Sequence, residues 1–301
     1  MSSLIEQAAK RLEQLKKAGV ELPEPAAGAP AAPRDEAPPP VVETKAAAPA
    51  EPAPQSRKVD LDLLAIAASG IVTPNAPRSA IADEYRIIKR PLISNALGKG
   101  AAPIRNGNLI MITSALPGEG KSFTSINLAM SMAAELDTTV MLVDADVARP
   151  SILSTLGLPP APGLLDVLVN DSVDLSDVLL KTNIEKLTIL PSGTRHERAT
   201  ELLASDAMAR LLEDMASRYA DRIIIFDSPP LLLTTEARVL ASHIGQVVVV
   251  VKAEETLQAD VRHALATIAD CPVKLMMLNQ ARSGKGVGYG YAYGYGYGEQ
   301  I

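Results

Sequence analysis

Short aliphatic runs alternate with helical segments beyond residue 100, and this alternation constrains the fold more than any other feature. Six runs are expected to form strands, namely Leu109–Thr113, Val140–Asp144, Leu187–Leu190, Arg222–Asp227, Gln246–Val251 and Val273–Leu278. Most are apolar throughout, which is typical of strands buried on both faces. Helical patterns lie before and between them, over Ser79–Leu97, Ser122–Glu135, Ser205–Tyr219, Thr235–Ala241 and Leu257–Ala269. The alternation predicts an α/β fold, a parallel sheet with helices on both faces.

The two ends of the 301-residue chain differ in composition from this central part. Residues 1–20 are expected to contain an amphipathic helix over about 3–18, because their leucines recur at helical spacing before Gly19. Residues 21–58 hold ten of the 23 prolines and are expected to be a disordered linker. Residues 59–281 form the predicted globular domain, and residues 282–301 a disordered tail rich in glycine and tyrosine.

A glycine-rich loop joins the first predicted strand to a helix. Its sequence over 114–122, Ser-Ala-Leu-Pro-Gly-Glu-Gly-Lys-Ser, ends like a phosphate-binding loop, although Ala115 replaces the usual first glycine. Gly118 and Gly120 let backbone N–H groups approach phosphate, and Lys121 would reach its outer oxygens. Ser122 would ligate Mg²⁺ at the positive end of the helix. The nucleotide-binding residues predicted in this loop are Pro117, Gly118, Glu119, Gly120, Lys121, Ser122 and Phe123. The pattern and its context predict a nucleotide triphosphate site.

Three aspartates lie at the ends of two predicted strands. Asp144 and Asp146 follow one aliphatic run, and Asp227 follows another. Because ligands of parallel sheets bind beyond the carboxyl ends of the strands, these side chains should converge with Lys121. Phosphoryl transfer needs such a set of a cation, a carboxylate for Mg²⁺ and a carboxylate near the attacking hydroxyl. One aspartate alone fits a turn or cap better, but three beside a phosphate loop favour a phosphoryl-transfer site.

Five of the seven tyrosines lie in the repetitive segment 288–298, namely Tyr289, Tyr291, Tyr293, Tyr295 and Tyr297. Gly-Tyr repeats also form low-complexity adhesive segments, which is the alternative interpretation. Next to a nucleotide site we interpret these phenols as phosphate acceptors. From Arg282 the tail can extend about 60 Å at ~3.3 Å per residue, which allows delivery to the site of a neighbouring copy.

These motifs resemble, in the same order, those of the bacterial tyrosine kinases, P-loop autokinases that regulate exopolysaccharide export. The resemblance covers about residues 79–301 and includes the loop over 114–122, Leu142–Asp146, Gly163–Leu168, Glu201–Leu203, Ile223–Pro230 and the tyrosine tail. The sequence Asp-Ala-Asp-Val-Ala-Arg-Pro and the N-terminal helix are most similar to the exosortase-associated subgroup. The resemblance implies an ATP- and Mg²⁺-dependent protein-tyrosine autokinase that phosphorylates its own C-terminal tyrosines.

The resemblance also implies roles for individual residues. Lys121, Asp144 and Asp146 would be catalytic, with Asp144 as base or metal ligand and Asp146 as its partner. Mg²⁺ would be held by Ser122, Asp144 and Asp227. Asn279, after the last strand, would contact the adenine edge, and a turn-forming role fits that position equally well.

Two positions depart from the family pattern. Ala148 replaces an arginine two residues after Asp146, although Arg149 follows directly. The family's subunit-contact motif is an acid and two arginines at three-residue spacing. Asp83, Arg86 and Lys89 match it with conservative changes and would share one helix face. A solvated charged face is the alternative, whereas the resemblance implies a ring-like homo-oligomer in the unphosphorylated state.

Charge and hydropathy limit the partners of the chain. A net charge of −6 argues against nucleic acid. The longest aliphatic run, Val247–Val251, is far shorter than the roughly 20 residues that cross a bilayer. The single cysteine, Cys271, suits a reducing cytoplasm. We expect a cytoplasmic protein held peripherally at the inner membrane. As the resemblance implies, its partners would be a separate membrane-spanning chain-length regulator and a cognate tyrosine phosphatase.

Two other functional classes would have many of the same sequence features. Partitioning and septum-placement ATPases have a signature lysine just after the first glycine of the loop, and this chain has Leu116 at that position. A catalytically weak ATP-binding adaptor of a polysaccharide-assembly complex would keep nearly every feature of a kinase. Phosphotyrosine formation with Mg-ATP separates the kinase from the adaptor.

Overall fold

An eight-stranded sheet forms the centre of the computed structural model, which describes residues 57–74, 79–100 and 102–281. Its strands are β1 (Arg57–Val59), β2 (Leu109–Ser114), β3 (Thr139–Asp144), β4 (Leu180–Thr182), β5 (Leu187–Leu190), β6 (Arg222–Asp227), β7 (Gln246–Lys252) and β8 (Val273–Asn279). Their order across the sheet is β1-β4-β5-β3-β6-β2-β7-β8. The six strands expected from the aliphatic runs are confirmed, each with ends within one residue of the expected bounds.

Helices cover both faces of this sheet. They are α1 (Leu63–Ala68), α2 (Ala80–Ala96), α3 (Lys121–Ala133), α4 (Ile152–Thr155), α5 (Leu164–Val169), α6 (Leu175–Val178), α7 (Ala199–Leu203), α8 (Asp206–Arg218), α9 (Glu236–His243) and α10 (Gln258–Thr267). The five longer helices, α2, α3, α8, α9 and α10, match the helical patterns of the sequence. The others have six residues or fewer, so they are too short to show a helical period.

The core consists of two apolar clusters, one on each face of the sheet. Along β2, Leu109 and Met111 face one cluster, whereas Ile110 and Ile112 face the other, as the alternation of a strand requires. Helices α5 to α10 contribute to the first cluster and α1 to α4 to the second. Every residue of β2 is buried, which explains why the sequence shows a continuous aliphatic run instead of an alternating one.

The edge beyond β5 is the part of the sheet that the sequence did not predict. β4 pairs antiparallel with β5, while every other neighbouring pair of described strands is parallel. β1 begins at Arg57, inside the segment that was expected to be linker. Each of these edge strands has three residues, so neither contains enough sequence for a recognisable pattern.

Buried polar contacts fix α2 against the sheet and against α3. The Lys89 ammonium donates to the carbonyl of Ser131 at 2.5 Å and pairs with Glu135 at 2.8 Å. Gln246, fully buried at the start of β7, donates to the carbonyls of Leu92 and Gly107. The helix that precedes the first core strand is therefore an integral part of the domain.

Three predictions fall outside the described residues. They are the helix over 3–18, the proline-rich linker apart from its last two residues, and the tail over 282–301 with all five tyrosines of the Gly-Tyr segment. These remain predictions from the sequence.

Candidate functional site

The loop between β2 and α3 has the backbone that phosphate binding requires. Gly118 and Gly120 adopt φ values of 80° and 96°, a left-handed conformation that glycine tolerates best. Gly120 directly precedes α3, and a Cβ there would collide with the side-chain nitrogen of Asn279. The first N–H groups of a helix have no partner within it, so those of α3 are available to an anion at this end.

The side chain of Glu119 points into the protein and joins this loop by hydrogen bonds to the end of β7 and the residues after it. Its side chain is 2% exposed and accepts a hydrogen bond from the N–H of Leu116 at 2.6 Å. The other carboxylate oxygen accepts from the hydroxyl of Thr256 and from the N–H of Lys252, the last residue of β7. Glu119 was predicted as a nucleotide-binding residue, and the structure directs its side chain into the protein. Its role in a phosphate site is to hold the loop in shape.

Lys121, the first residue of α3, points towards Asp146, in the loop that follows β3. Its ammonium lies 3.8 Å from Asp146, and both side chains are about nine-tenths buried. Burial raises the pKa of Asp146, while the Lys121 charge and the Arg149 N–H counteract part of that increase. The cation and the carboxylate therefore face each other beside the loop, where phosphate oxygens would meet the cation.

Asp144, the last residue of β3, has one carboxylate oxygen in use and one without a partner. Oδ2 accepts from the N–H groups of Ser151 and Ile152, both at 3.0 Å, at the start of α4. Oδ1 is buried and has no hydrogen-bond partner among the described residues. Burial, and then the charge of Asp227, raise the pKa of Asp144 to about 7. Such a carboxyl can accept a proton near neutral pH.

Asp227, the last residue of β6, is the register partner of Asp144 in the sheet. Its Oδ1 accepts from the hydroxyl of Ser125 at 3.0 Å, and its buried Oδ2 has no partner among the residues described. Burial raises its pKa to about 6, although the Ser122 hydroxyl, the Lys121 charge and Ser125 oppose the increase. Two adjacent strand ends thus place two unsatisfied carboxylate oxygens beside the phosphate loop.

This donor set fits Mg²⁺ bound together with a nucleotide. Hard cations prefer oxygen ligands, and protein-bound Mg²⁺ commonly uses one or two carboxylates plus substrate phosphates. Ser122, Asp144 and Asp227 supply oxygens of this kind, and the two orphaned carboxylate oxygens need a cation or proton. No group of three or more His, Cys, Asp or Glu side chains in the described residues can hold a metal by itself. A site completed by phosphate oxygens needs no such group.

The last residue of β8 and the residue that follows it also contact the phosphate loop. The side-chain amide of Asn279 donates to the carbonyl of Glu119 at 2.9 Å, and that of Gln280 to the carbonyl of Gly118 at 3.2 Å. Asn279 was predicted to contact the adenine edge or to form a turn. Its side-chain nitrogen is engaged by the loop, which leaves its oxygen as the atom that can meet a base. The position where the C-terminal tail begins is therefore joined to the nucleotide site.

Several residues of the site were not identified from the sequence. Ser125 orients Asp227, Thr256 holds Glu119, and Gln280 holds Gly118. Ser125 lies one helical turn after Lys121, so the helical period was a usable signal. Thr256 and Gln280 are brought to the loop by tertiary structure alone, and their local sequence gives no sign of it.

The remaining predicted residues of the loop have different exposures. Pro117 and Gly118 are exposed at its tip, while Ser122 and Phe123 are partly buried in the first turn of α3. The predicted subunit-contact residues lie on α2, which packs against α3. Asp83 and Arg86 form an exposed pair at 2.5 Å, but Lys89 is 3% exposed and bound within the domain.

A groove opens beside Asp144, and we call it the proline groove. It has a volume of about 560 Å³. One wall runs from Pro150 through α4 to Pro162, and the other consists of residues 192–195. Asp144, one of the two aspartates that have an unsatisfied oxygen, therefore also lines this groove.

Comparison with known proteins agrees with this geometry. Residues 107–279 match the AAA domain family. The tyrosine-protein kinase YwqD of Bacillus subtilis (strain 168) is 31% identical over 206 residues, which cover 68% of this chain and 83% of YwqD. The succinoglycan biosynthesis transport protein ExoP of Rhizobium meliloti (strain 1021) is 33% identical over 173 residues, 56% of this chain and 21% of ExoP.

A solved structure extends the similarity to three dimensions. The crystal structure of the VpsO kinase domain superposes with a TM-score of 0.56 at 27% identity, covering 67% of this chain and 96% of that domain. The sequence relatives and the fold therefore point to the same family as the motifs. The chain belongs to the bacterial tyrosine-protein kinases, and its nucleotide site is built on an AAA domain.

Proposed function

We propose that this kinase transfers the γ-phosphoryl group of ATP to tyrosines of its own C-terminal tail and so regulates exopolysaccharide synthesis and export. One observation supports this proposal above all others. Asp144 and Asp227 end adjacent strands beside the phosphate loop, and each has a buried carboxylate oxygen without a described partner. The relation to ExoP, a polysaccharide biosynthesis transport protein by name, supports the process.

In the proposed reaction, each residue acts on one part of the transfer. The N–H groups of the loop and the Lys121 ammonium bind the phosphate oxygens, where negative charge accumulates in the transition state. Ser122 and Asp227 would hold Mg²⁺, which neutralises phosphate charge when bound. The phenol oxygen attacks the γ-phosphorus, the bond to the β–γ bridging oxygen breaks, and Oδ1 of Asp144 accepts the phenol proton. The products are ADP and phosphotyrosine.

Asp144 has two possible roles, base and Mg²⁺ ligand, and its position favours the first. Asp144 lines the proline groove, so an acceptor bound in the groove would lie beside this side chain. Burial and Asp227 bring its pKa to about 7, which matches a base that works near neutral pH. Asp144→Asn distinguishes the roles: loss of a base leaves the Mg²⁺ concentration for half-maximal rate unchanged, whereas loss of a ligand raises it.

The test is mass-spectrometric mapping of phosphate after incubation of the full chain with Mg-ATP. Phosphate is expected on the tail tyrosines 289–297, none on Lys121→Met, and little on a chain without residues 286–301. Undiminished labelling of the shortened chain would contradict the tail as substrate. ATP binding without any phosphotyrosine would instead identify an ATP-binding adaptor.

We propose that the unphosphorylated kinase forms a ring-like homo-oligomer that tail phosphorylation dissociates. Each phosphotyrosine adds about −1.5 to −2 charge, so five would add roughly −8 to −10 to a chain that already has −6. Exposed Asp83 and Arg86 are available for the contact, whereas Lys89 would first have to leave its buried partners. Identical sedimentation of the two forms in analytical ultracentrifugation would reject this. A cognate tyrosine phosphatase would restore the oligomer.

We propose a cytoplasmic kinase that binds the inner membrane through a separate chain-length regulator. In the residues that the structure covers, no helix combines the length and apolarity of a membrane span. The segment over 3–18 would provide a second contact with the regulator. Pull-downs from solubilised membranes with the full chain and with residues 59–301 test both claims. Failure of the full chain to retain an integral membrane protein would refute the regulator, and equal recovery by both would refute the role of the segment.

A further inference from the structure

The outer edge of the sheet at β8 is exposed and apolar. β8 is the last strand in the order of the sheet, so its outer backbone groups have no partner strand within the described ranges. Met276 and Leu278 on this strand are 65% and 64% exposed. Their neighbours Leu275 and Met277 pack against the second cluster, so Met276 and Leu278 point to the opposite face, on the side of α10. An edge strand of this kind is a template for pairing with another strand.

β8 itself carries little of the usual protection of an edge. Proteins guard edge strands with charged side chains, prolines and bulges. The seven residues of β8 include no proline, and their register with β7 is continuous. Lys274 is the single charged residue of the strand, and its ammonium donates to the carbonyls of Ala269 and Cys271, before the strand begins. The edge is therefore open to a partner strand along most of its length.

The segment over 288–298 has the sequence period of a strand. Tyrosine alternates strictly with glycine or alanine over these eleven residues. As a strand, the segment would place all five phenol rings on one face and only small residues on the other. Tyrosine is enriched in strands, whereas glycine weakens them, so this segment needs a neighbouring strand in order to become ordered. It matches an open edge that offers both backbone partners and apolar side chains.

Chain connectivity brings this segment to β8. The eight residues 280–287 follow the strand directly and can span about 26 Å at ~3.3 Å per residue, which is enough for the chain to reverse its direction. An antiparallel return that begins at residue 288 puts Tyr289 opposite Leu278. Two residues further along, Tyr291 then lies opposite Met276. The rings and the exposed apolar side chains share one face in this register, and a shift of one residue would separate them.

A segment bound at β8 is held away from the nucleotide site. Asp144 ends β3, and the strands β6, β2 and β7 lie between β3 and β8. Four strand spacings of ~4.8 Å separate β3 from β8 by about 19 Å. A phenol on a strand paired with β8 therefore cannot meet the Asp144 carboxylate. The segment has to leave the edge before one of its tyrosines enters a nucleotide site.

We propose that the outer edge of β8 binds the Gly-Tyr segment of the same chain as an antiparallel ninth strand, with phenol rings over Met276 and Leu278. This edge then stores the tyrosines and withholds them from phosphorylation. Binding at the edge does not depend on kinase activity, whereas its inhibitory effect rests on the proposed function. Phosphates on five tyrosines of one face would add roughly −8 to −10 charge, which opposes return to an apolar edge.

Disulfide trapping in the full chain tests the strand pairing without requiring catalysis. Met276→Cys is combined either with Tyr291→Cys, which the pairing places opposite it, or with Ala292→Cys, which faces the other side. Cys271 is buried and stays in place in both variants. We expect the first combination to form an intramolecular disulfide under mild oxidation at least fivefold faster than the second. Equal rates overturn the proposal. Faster disulfide formation between residues 276 of two copies also overturns it and identifies the β8 of a second copy as the occupant.

Autophosphorylation rates test the storage role of the edge. Met276→Asp places a charge among the rings and should release the segment, so the initial rate of tail phosphorylation should rise at least threefold. Leu136→Asp is the matched control, because Leu136 is also an exposed apolar residue and lies after α3. Its rate should stay within 1.5-fold of the unaltered chain. Equal rates in the two variants overturn the storage role.

The two experiments separate the edge site from the proposed function. Position-selective disulfides without phosphotyrosine formation support the edge site and contradict autophosphorylation. Phosphotyrosine formation with equal disulfide rates from residues 291 and 292 supports autophosphorylation and overturns the edge site.

Discussion

A buried lysine on α2 and two buried aspartates at the nucleotide site differ in how many of their polar atoms have a hydrogen-bond or ion-pair partner. Lys89, between α2 and α3, has a carbonyl and a carboxylate as partners within 3 Å. Asp144 and Asp227, at the ends of β3 and β6, each keep a buried oxygen without a described partner, and their pKa values rise to about 7 and 6. All three were assigned functional roles from the sequence.

The difference distinguishes structural charge from functional charge. A fold tolerates a buried charge that has its partners, and removal of one partner is costly. A buried charge with missing partners costs stability, and such a cost is typical of sites that await a ligand. Lys89 therefore belongs to the packing of α2, whereas the aspartates belong to the reaction.

The largest expected effect is the loss of activity in Asp144→Asn. An amide oxygen can still accept from Ser151 and Ile152, but the side chain can no longer take a proton. General-base catalysis contributes about 10²–10⁴-fold, so the rate of tail phosphorylation should fall by that factor. Quantitative phosphotyrosine measurement under single-turnover conditions checks this. A fall of less than tenfold would remove Asp144 from the catalytic residues.

The same variant should gain stability in the absence of nucleotide. The pKa of Asp144 rises from 3.8 to about 7 on folding, so the folded state binds the proton more tightly than the unfolded state does. This stabilisation is complete below pH 3.8 and is lost as the pH rises towards 7. Asp144→Asn avoids the loss, which amounts to at most about 4 kcal/mol at ~1.4 kcal/mol per pKa unit. Urea unfolding from pH 4 to 8 should show an advantage of the variant that grows with pH.

Lys89→Met should have effects opposite to those of Asp144→Asn, a loss of stability with little change in activity. It removes the donor to the Ser131 carbonyl and leaves Glu135 with only the Arg90 guanidinium at 3.8 Å. We expect a loss of about 2 kcal/mol because Glu135 remains partly hydrated. Activity per folded molecule should stay within twofold. Arg86→Met, which breaks an exposed pair on the same helix, is the control and should change stability by less than about 0.5 kcal/mol. Equal effects of both variants would remove the distinction between buried and exposed charge on α2.

The smallest effect is expected at Gln280. Gln280→Ala removes one hydrogen bond to the Gly118 carbonyl at an exposed position, worth about 1 kcal/mol or less. KM for ATP should rise two- to fivefold, and the melting temperature should change little. An unchanged KM would mean that the base of the tail and the phosphate loop act independently.

The sequence was sufficient to predict the central strands, since a continuous apolar run such as that within Gln246–Lys252 indicates a strand buried on both faces. It was also sufficient for the convergence of Lys121, Asp144 and Asp227, because parallel strands end at one edge of a sheet. It was not sufficient for β1 and β4, which are three residues long. The inward direction of Glu119 and the burial of Lys89 depend on contacts more than 40 residues away in the chain, to Thr256 and Ser131, which no local pattern reveals.

The inward-facing Glu119 has a consequence for the thermodynamics of nucleotide binding. Three hydrogen bonds tie its side chain to Leu116, Lys252 and Thr256, so the loop is ordered before an anion arrives. The entropy of ordering is then lost during folding, and less of it remains to oppose binding. Calorimetry of Thr256→Val should therefore show a less favourable binding entropy for ADP, even though Thr256 never touches the nucleotide.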